Sequence, residues 1–202
     1  MADEDPYRHH PELRGQIKAA EESFFRDLDL DAMDARVAEL GHPADWRTPC
    51  EEREPGRKEW MSGRWDGDLW VFGYGSLMWD PAMEFVEVRR ARTPEFERSF
   101  CLWDDGGRGS REHPGLMLAI DTGAGCEGLA FRIDADKLEH ETFVLFRREM
   151  ITGAYRPVWL ALETAQGPIE ALSFAADHTR EDVVPGIPVA QQAEMIARAT
   201  GL

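Results

Sequence analysis

Apolar residues form short runs through the middle of the chain and fall at helical spacing towards its two ends. Leu69–Phe72 is a continuous apolar run that fits a strand buried on both faces, and the glycines after it end the run. Glu84–Arg90, carrying Phe85, Val86 and Val88, predicts a second strand, and the alternation over Phe96–Trp103 a third. Gly115–Ile120 and Cys126–Ile133 predict two more, joined by a hairpin turn over Asp121–Gly125. Tyr155–Leu162 and Ile169–Phe174 follow, separated by Thr-Ala-Gln-Gly-Pro.

Helical spacing begins at Pro11, a residue suited to a first turn, after a polar stretch over 1–10 that is expected to fray. Leu13, Ile17, Phe24 and Leu28 share one face, Met33, Val37 and Leu40 extend it, and Gly41 and Pro43 end it. Residues 41–68 show no clean period and read as a loop-rich arm pinned by Trp46, Trp60 and Trp65. Asp134 caps a helix running to about Met150 on the anchors Leu138, Leu145 and Phe146, and Val189–Thr200 is a last amphipathic helix. Strands in the middle and helices at the ends predict an α+β fold in which the strands curl into a small mixed β-barrel with flanking helices. The expected division is a helical and loop-rich N-terminal extension over 1–68 and a domain over 69–202.

Charge and composition narrow the partners. A net charge of −16 argues against nucleic acid or an anionic membrane, both of which need a basic surface. No run of 18 apolar residues and no apolar segment near the N-terminus are present, so a cytoplasmic protein is expected. Cys50, Cys101 and Cys126 are widely spaced and without CxxC, which predicts neither a disulfide framework nor a zinc site.

Two segments are candidates for chemistry. The first is the turn after the opening strand, Gly73-Tyr74-Gly75-Ser76-Leu77. Glycines there let a ligand approach the main chain, and successive amides can receive an anion or a developing oxyanion. A tight turn between two core strands explains the same residues. The second is Glu149. Leu138, Thr142, Leu145 and Glu149 are spaced to stack on one helical face, so a carboxylate at the end of the stripe points towards the core. Lost hydration there raises its pKa, a common property of site carboxylates. A structural ion pair with an arginine from elsewhere, such as Arg156, explains it equally, since Arg147 and Arg148 lie on other faces of an ideal helix. Tyr155 opens a strand directly after this helix and points either into a pocket or into the core. Ser76 is not in a Gly-x-Ser-x-Gly elbow, because position 78 is Met, and no metal-ligand spacing is present. The long polar loop Asp104–Pro114, with Arg108, Ser110, Arg111 and His113, has the length of a functional loop.

Taken together, Val-Phe-Gly-Tyr-Gly-Ser-Leu-Met-Trp at 71–79, Arg-Ser-Phe-Cys-Leu at 98–102, Arg-Gly-Ser at 108–110, Pro-Gly-Leu-Met-Leu at 114–118 and Arg-Arg-Glu-Met-Ile-Thr-Gly-Ala-Tyr at 147–155 resemble the ChaC-like gamma-glutamylcyclotransferase family. The resemblance runs over about 69–200 with the motifs in order. It implies a small β-barrel and cleavage of glutathione to 5-oxoproline and Cys-Gly with no metal or organic cofactor. It assigns Val71, Phe72, Gly73, Tyr74, Gly75 and Ser76 to the substrate-binding loop and Glu149 to general acid/base work, and Leu77, by its amide, and Tyr155 are expected to join the substrate-binding residues. Relatives of this type usually continue into a further helix, so a missing C-terminal helix is expected here. Two other readings keep the fold: a glutathione-binding regulator without turnover, and a cyclotransferase for other gamma-glutamyl amines.

Overall fold

The computed structural model describes residues 5–39, 41 and 43–201. Its strands are β1 (Leu69–Gly73), β2 (Glu87–Thr93), β3 (Phe96–Asp104), β4 (Gly115–Thr122), β5 (Cys126–Ile133), β6 (Tyr155–Thr164) and β7 (Ile169–Ala176). They form one sheet in the order β1-β5-β2-β6-β7-β4-β3, and a further β1–β7 pairing closes β1, β5, β2, β6 and β7 into a five-stranded ring. The small mixed barrel expected from the sequence is the observed architecture. The second strand starts at Glu87 and not at Glu84.

The ring closes at a seam on β7. One edge of β7 pairs antiparallel with β6 along its whole length. The other edge is shared: β1 takes it at Val71↔Leu172 and β4 at Ile120↔Ala175. Between these two points one partner hands over to the other, and the chain leaving β1 turns away. Side chains supply polar contacts around the hand-over: Ser173 Oγ donates to the Phe72 carbonyl (3.0 Å), and the Tyr74 hydroxyl donates to the Phe174 carbonyl (2.8 Å). Buried backbone acceptors need such partners wherever the ladder is interrupted.

Both faces of β1 are covered, which is why its sequence is an unbroken apolar run. Val71 packs in the layer that contains Leu145, Phe146 and Phe174, while Phe72 packs with Ile120 and Leu160. The first layer lies beneath α3 (Leu138–Glu149), whose Leu138, Thr142 and Leu145 are all buried. Asp134 begins this region as expected, its side chain accepting from the Asp136 amide before a short 3-10 turn leads into α3.

The N-terminal third departs from the sequence reading. The single helix expected from Pro11 to Leu40 is not formed; Pro11–Leu13 and Ala20–Glu22 are isolated 3-10 turns, α1 covers Leu30–Glu39, and Leu40 lies outside the described residues. Gly15 has φ +77°, a left-handed conformation that stops helix growth after the first turn. Leu13, Ile17, Ala20 and Leu28 are nevertheless buried, so their spacing reports an irregular strap lying on the barrel. Phe24, placed on the buried face by the helical reading, is 67% exposed.

Residues 5–10 are docked and not frayed: the Val88 amide donates to the Pro6 carbonyl (3.0 Å), Tyr7 packs edge-on against Phe85, and Arg8 pairs with Glu87. A helix, α2 (Cys50–Trp60), replaces part of the expected loop over 41–68. Pro55 and Gly56 inside it read as breakers. Buried Arg57 ties it to α3, donating to Thr142 Oγ1 (2.7 Å) and Glu139 Oε1 (2.7 Å). Two of the three tryptophans pin this region to the domain, Trp60 by stacking on Trp159 of β6 and Trp65 by packing against the barrel core under the Arg57 guanidinium, whereas Trp46 Nε1 donates to Asp34 of α1 and stays within the N-terminal region. No helix among the described residues is long and apolar enough to cross a membrane.

Candidate active site

The turn after β1 is built on one close approach. A Cβ on Gly73 would sit 2.9 Å from Leu77 Cβ and 3.2 Å from the Leu77 carbonyl carbon, so only glycine lets the chain fold back over the strand end. The chain then passes Tyr74 and Gly75 into a 3-10 turn over Ser76–Met78. Met78 N–H donates to the Gly75 carbonyl (2.9 Å), and the amides of Trp79 and Asp80 both donate to the Ser76 carbonyl. Among the described residues, no group accepts from the amides of Gly75, Ser76 and Leu77, the first donors of this turn. From β3, Arg98 clamps the turn by donating to the Tyr74 carbonyl (2.7 Å) and the Glu127 carbonyl (2.6 Å).

Glu149 is the last residue of α3, and its side chain is 13% exposed. Burial raises its pKa, and the charge and hydrogen bond of Arg148 act against that rise. Arg148 Nε lies 2.9 Å from Glu149 Oε1, and Nη2 of the same guanidinium donates to Ser76 Oγ at 2.9 Å. Nη1 donates to the Asp80 carbonyl. The side-on fork that usually grips one carboxylate is therefore divided between the glutamate and the turn. The sequence reading expected an arginine from elsewhere, such as Arg156, if Glu149 were ion-paired. Arg156 is exposed, and the partner is the preceding residue. Neighbours in sequence point apart in mid-helix. At the helix end, a long arginine side chain instead reaches over the turn.

Tyr74 and Tyr155 complete the surroundings. The Tyr74 phenol is buried at the seam, and burial pushes its pKa well up, with the charges of Tyr155 and Glu149 adding to the effect. The Tyr155 hydroxyl donates to the Leu118 carbonyl (3.2 Å) and is raised in the same way, by burial first and by Glu149 next. Both phenols are thus neutral donors within the field of the carboxylate. Of the other expected residues, Gly73 to Ser76 form the turn itself, whereas Val71, Phe72 and Leu77 are core side chains that fix it from beneath.

Sequence reasoning missed Arg148, Arg98 and the strap residue Phe25, whose ring lies 4.1 Å from the Arg148 guanidinium carbon. Only Arg98 and Arg148 carried a signal, since they stand in the motifs Arg-Ser-Phe-Cys-Leu and Arg-Arg-Glu-Met-Ile-Thr-Gly-Ala-Tyr. The Asp104–Pro114 loop is tightly ordered at its start, where the Asp104 carboxylate accepts from the amides of Gly106, Gly107 and Arg108. Among the described residues there is no group of three or more His, Cys, Asp or Glu able to hold a metal ion. The arrangement offers a buried carboxylate and free amides within one small region, beside two phenols whose protons are taken by backbone carbonyls.

Comparison with known proteins shows which family the chain resembles. A glutathione-specific gamma-glutamylcyclotransferase of Escherichia coli is 39% identical over 137 residues, which cover 67% of this chain and 59% of that protein. A mouse protein named glutathione-specific gamma-glutamylcyclotransferase 1 is 28% identical over 141 residues, covering 66% and 63%. The chain thus spans less than two thirds of the length of either relative. A crystal structure of a yeast gamma-glutamyl cyclotransferase specific to glutathione shares the fold, with a TM-score of 0.57 at 17% identity over 66% of this chain and 81% of that one. The family profile described as ChaC-like protein matches residues 69–202, two thirds of the sequence, and the chain therefore belongs to the ChaC-like family.

Proposed function

We propose that this protein is a glutathione-specific gamma-glutamylcyclotransferase that releases 5-oxoproline and Cys-Gly. The observation that supports this most strongly is the Arg148 guanidinium, which links the carboxylate of Glu149 to the hydroxyl of Ser76 and so joins α3 to the turn after β1. The names of the bacterial and mouse relatives support the choice of substrate.

The reaction needs no enzyme nucleophile. The substrate's own α-amine, after giving a proton to Glu149, attacks the gamma-glutamyl amide carbon and closes a five-membered ring. Negative charge develops on the carbonyl oxygen, where the amides of Gly75, Ser76 and Leu77 are the donors of choice. The bond to the cysteinyl nitrogen then breaks, and that nitrogen takes the proton back from Glu149. Val71, Phe72 and Leu77 keep the turn rigid, and Gly73, Tyr74, Gly75, Ser76 and Tyr155 border the gamma-glutamyl group. Holding the two reacting atoms together supplies much of the acceleration in intramolecular reactions of this kind. An ionised Glu149 is required at the first step, so activity rises with pH through its raised pKa.

The same reading treats residues 1–68 as an extension of a cyclotransferase domain over 69–202, acting in the cytoplasm. Free cysteines at 50, 101 and 126 fit a reducing compartment. The test is incubation with glutathione and quantitation of 5-oxoproline for the native protein and for Glu149→Gln. The variant is expected to lose ~10²–10⁴ in kcat, the usual contribution of a general acid/base. Full activity in Glu149→Gln would remove the glutamate from the mechanism, and no product from folded native protein would overturn the assignment.

A further inference from the structure

We infer that the N-terminal strap over 18–26 is part of the working site, with Phe25 and Arg148 as positioning residues that hold the Glu149 carboxylate towards the turn. This rests on the role proposed for Glu149 above. The Arg148 side chain is 5% exposed and is held in several directions. One face of its guanidinium lies on the Phe25 ring, its side-on edge takes Glu149 Oε1 and Ser76 Oγ, and Nη1 takes the Asp80 carbonyl. Of these contacts, the aromatic one comes from outside the domain that carries the chemistry.

The strap is fastened on both sides of Phe25. Lys18 donates its amide to the Trp79 carbonyl (2.8 Å) and its ammonium to Asp80 Oδ2 (3.0 Å). Arg26 donates to the Ala82 carbonyl (3.1 Å) and grips the buried Glu141 carboxylate with two bonds of 2.5 and 2.9 Å. Arg147 Nη2 donates to the carbonyls of Phe25 (3.1 Å) and Arg26 (2.5 Å). The strap therefore grips residues 79–82, the segment whose Asp80 carbonyl receives Arg148. Ala82 has φ +60°, a conformation that a non-glycine residue keeps only when its surroundings impose it. Arg26, bonded to the Ala82 carbonyl, is one such restraint.

A purely structural role for Arg148 would attach the strap and nothing more. A positioning role makes a different demand, because removing Phe25 or the Arg148 charge must then be felt at Glu149. The charged and titratable groups facing Glu149 are Arg148 from α3, Tyr74 from the turn and Tyr155 from β6, with Cys101 of β3 and Arg108 of the Asp104–Pro114 loop acting on Tyr155. Arg148 in turn faces Asp80, which Lys18 of the strap holds.

The experiment follows the titration of the Glu149 carboxyl by carbon-13 NMR, assigned by difference from Glu149→Gln, in the native protein and in Arg148→Gln, Arg148→Lys and Phe25→Ala. Turnover of glutathione is measured beside it. Arg148→Gln is expected to raise the titration midpoint by about 1 pH unit or more, the usual effect of losing an adjacent opposite charge. The acid limb of kcat/KM should move with it. Phe25→Ala should move both in the same direction by less, with kcat falling more than KM changes. Arg148→Lys should bring the midpoint back towards the native value without restoring kcat, since an ammonium cannot divide a planar fork between two acceptors. An unmoved midpoint in either Arg148→Gln or Phe25→Ala would overturn the inference; if the first variant does not fold, the second decides alone. The midpoint is read without turnover. Shifted midpoints in a protein that makes no 5-oxoproline would uphold the strap's hold on Glu149 and overturn the catalytic reading alone, whereas normal turnover with unmoved midpoints would do the reverse.

Discussion

Arg57→Met tests how α2 is joined to the helix that ends in Glu149. The Arg57 side chain is 1% exposed and donates to Thr142 Oγ1, to the Glu139 carbonyl and carboxylate, and to both oxygens of Glu54. Breaking a buried ion pair typically costs about 3–5 kcal/mol, because the remaining charge is left dry. That limit does not apply here. Glu54 is 25% exposed and Glu139 67%, so both carboxylates regain water when the guanidinium goes. Thr142 stays buried, but its hydroxyl still donates to the Leu138 carbonyl at 2.6 Å. What is lost is a set of charge-assisted hydrogen bonds; one such bond is typically worth about 1.5–3 kcal/mol net, the set here counts for little more than one because water reaches both carboxylates once the guanidinium is gone, and methionine recovers part of it by filling the space. The expected net loss is about 2 kcal/mol, which for a chain of this size lowers Tm by roughly 4–8 °C. Denaturant unfolding followed by tryptophan fluorescence should show a lower midpoint with an unchanged slope. A loss above about 4 kcal/mol would mean that the carboxylates do not rehydrate, and the exposure argument would fail. A loss below about 0.5 kcal/mol would mean that this joint does not stabilise the fold.

Two further outcomes are expected. Gly73→Ala forces a Cβ against the backbone of Leu77, where Gly75→Ala meets nothing closer than Leu118 Cδ2 at 4.0 Å. The first should destabilise by about 1–3 kcal/mol and cut 5-oxoproline formation at least tenfold, whereas the second should keep native stability; equal stabilities would refute the steric reading. Glu87 is buried among Arg8, His9, Arg89 and Arg132, and although burial favours its neutral form, the Arg89 hydrogen bond and the surrounding arginines bring its pKa below the ordinary 4.5. A lowered folded-state pKa means that the stability it confers is complete above the unfolded value and is lost as pH falls below it. Unfolding free energies taken from pH 6 to pH 3 should therefore fall less steeply in Glu87→Gln than in the native protein, and parallel slopes would argue against the assignment.

The barrel was legible because β1 is an apolar run covered on both faces and glycines follow it and flank the β4–β5 hairpin, whereas the alternation expected over Phe96–Trp103 is broken by a register shift that buries both Cys101 and Leu102 and leaves Phe100 exposed. The direction of Glu149 was legible too, since Leu138, Thr142 and Leu145 fix which face of α3 turns inwards. Its partner was not. Ideal helical angles separate residues 148 and 149, and only the helix end lets the Arg148 side chain curl back. The strap misled for a different reason: Leu13 and Ile17 carry a helix-like spacing by joining the core of the barrel from an irregular path, and Leu28 is buried further along it. In α2, Pro55 and Gly56 hid a helix that tertiary contacts maintain, a case of packing overriding local propensity. The turn's free amides were legible as well, because the glycines at 73 and 75 mark where the chain folds back.

The seam on β7 also sets the order in which the molecule can be made. Tyr74 finds its acceptor 100 residues later, and Ser173 reaches back 101 residues to Phe72. A nascent chain emerging from the ribosome N-terminus first can form the β3–β4 hairpin and the β2–β5 pairing long before Ile169–Ala176 has been synthesised. Contacts of such long range slow folding, because a large loop must close before any of them is rewarded. Until then β1 has only one edge covered, and its unpaired side is open to other chains. The ring thus sets an order of assembly: the turn after β1 gains its contacts with β7 only once β7 exists, and synthesis interrupted before that point leaves β1 with an unpaired edge.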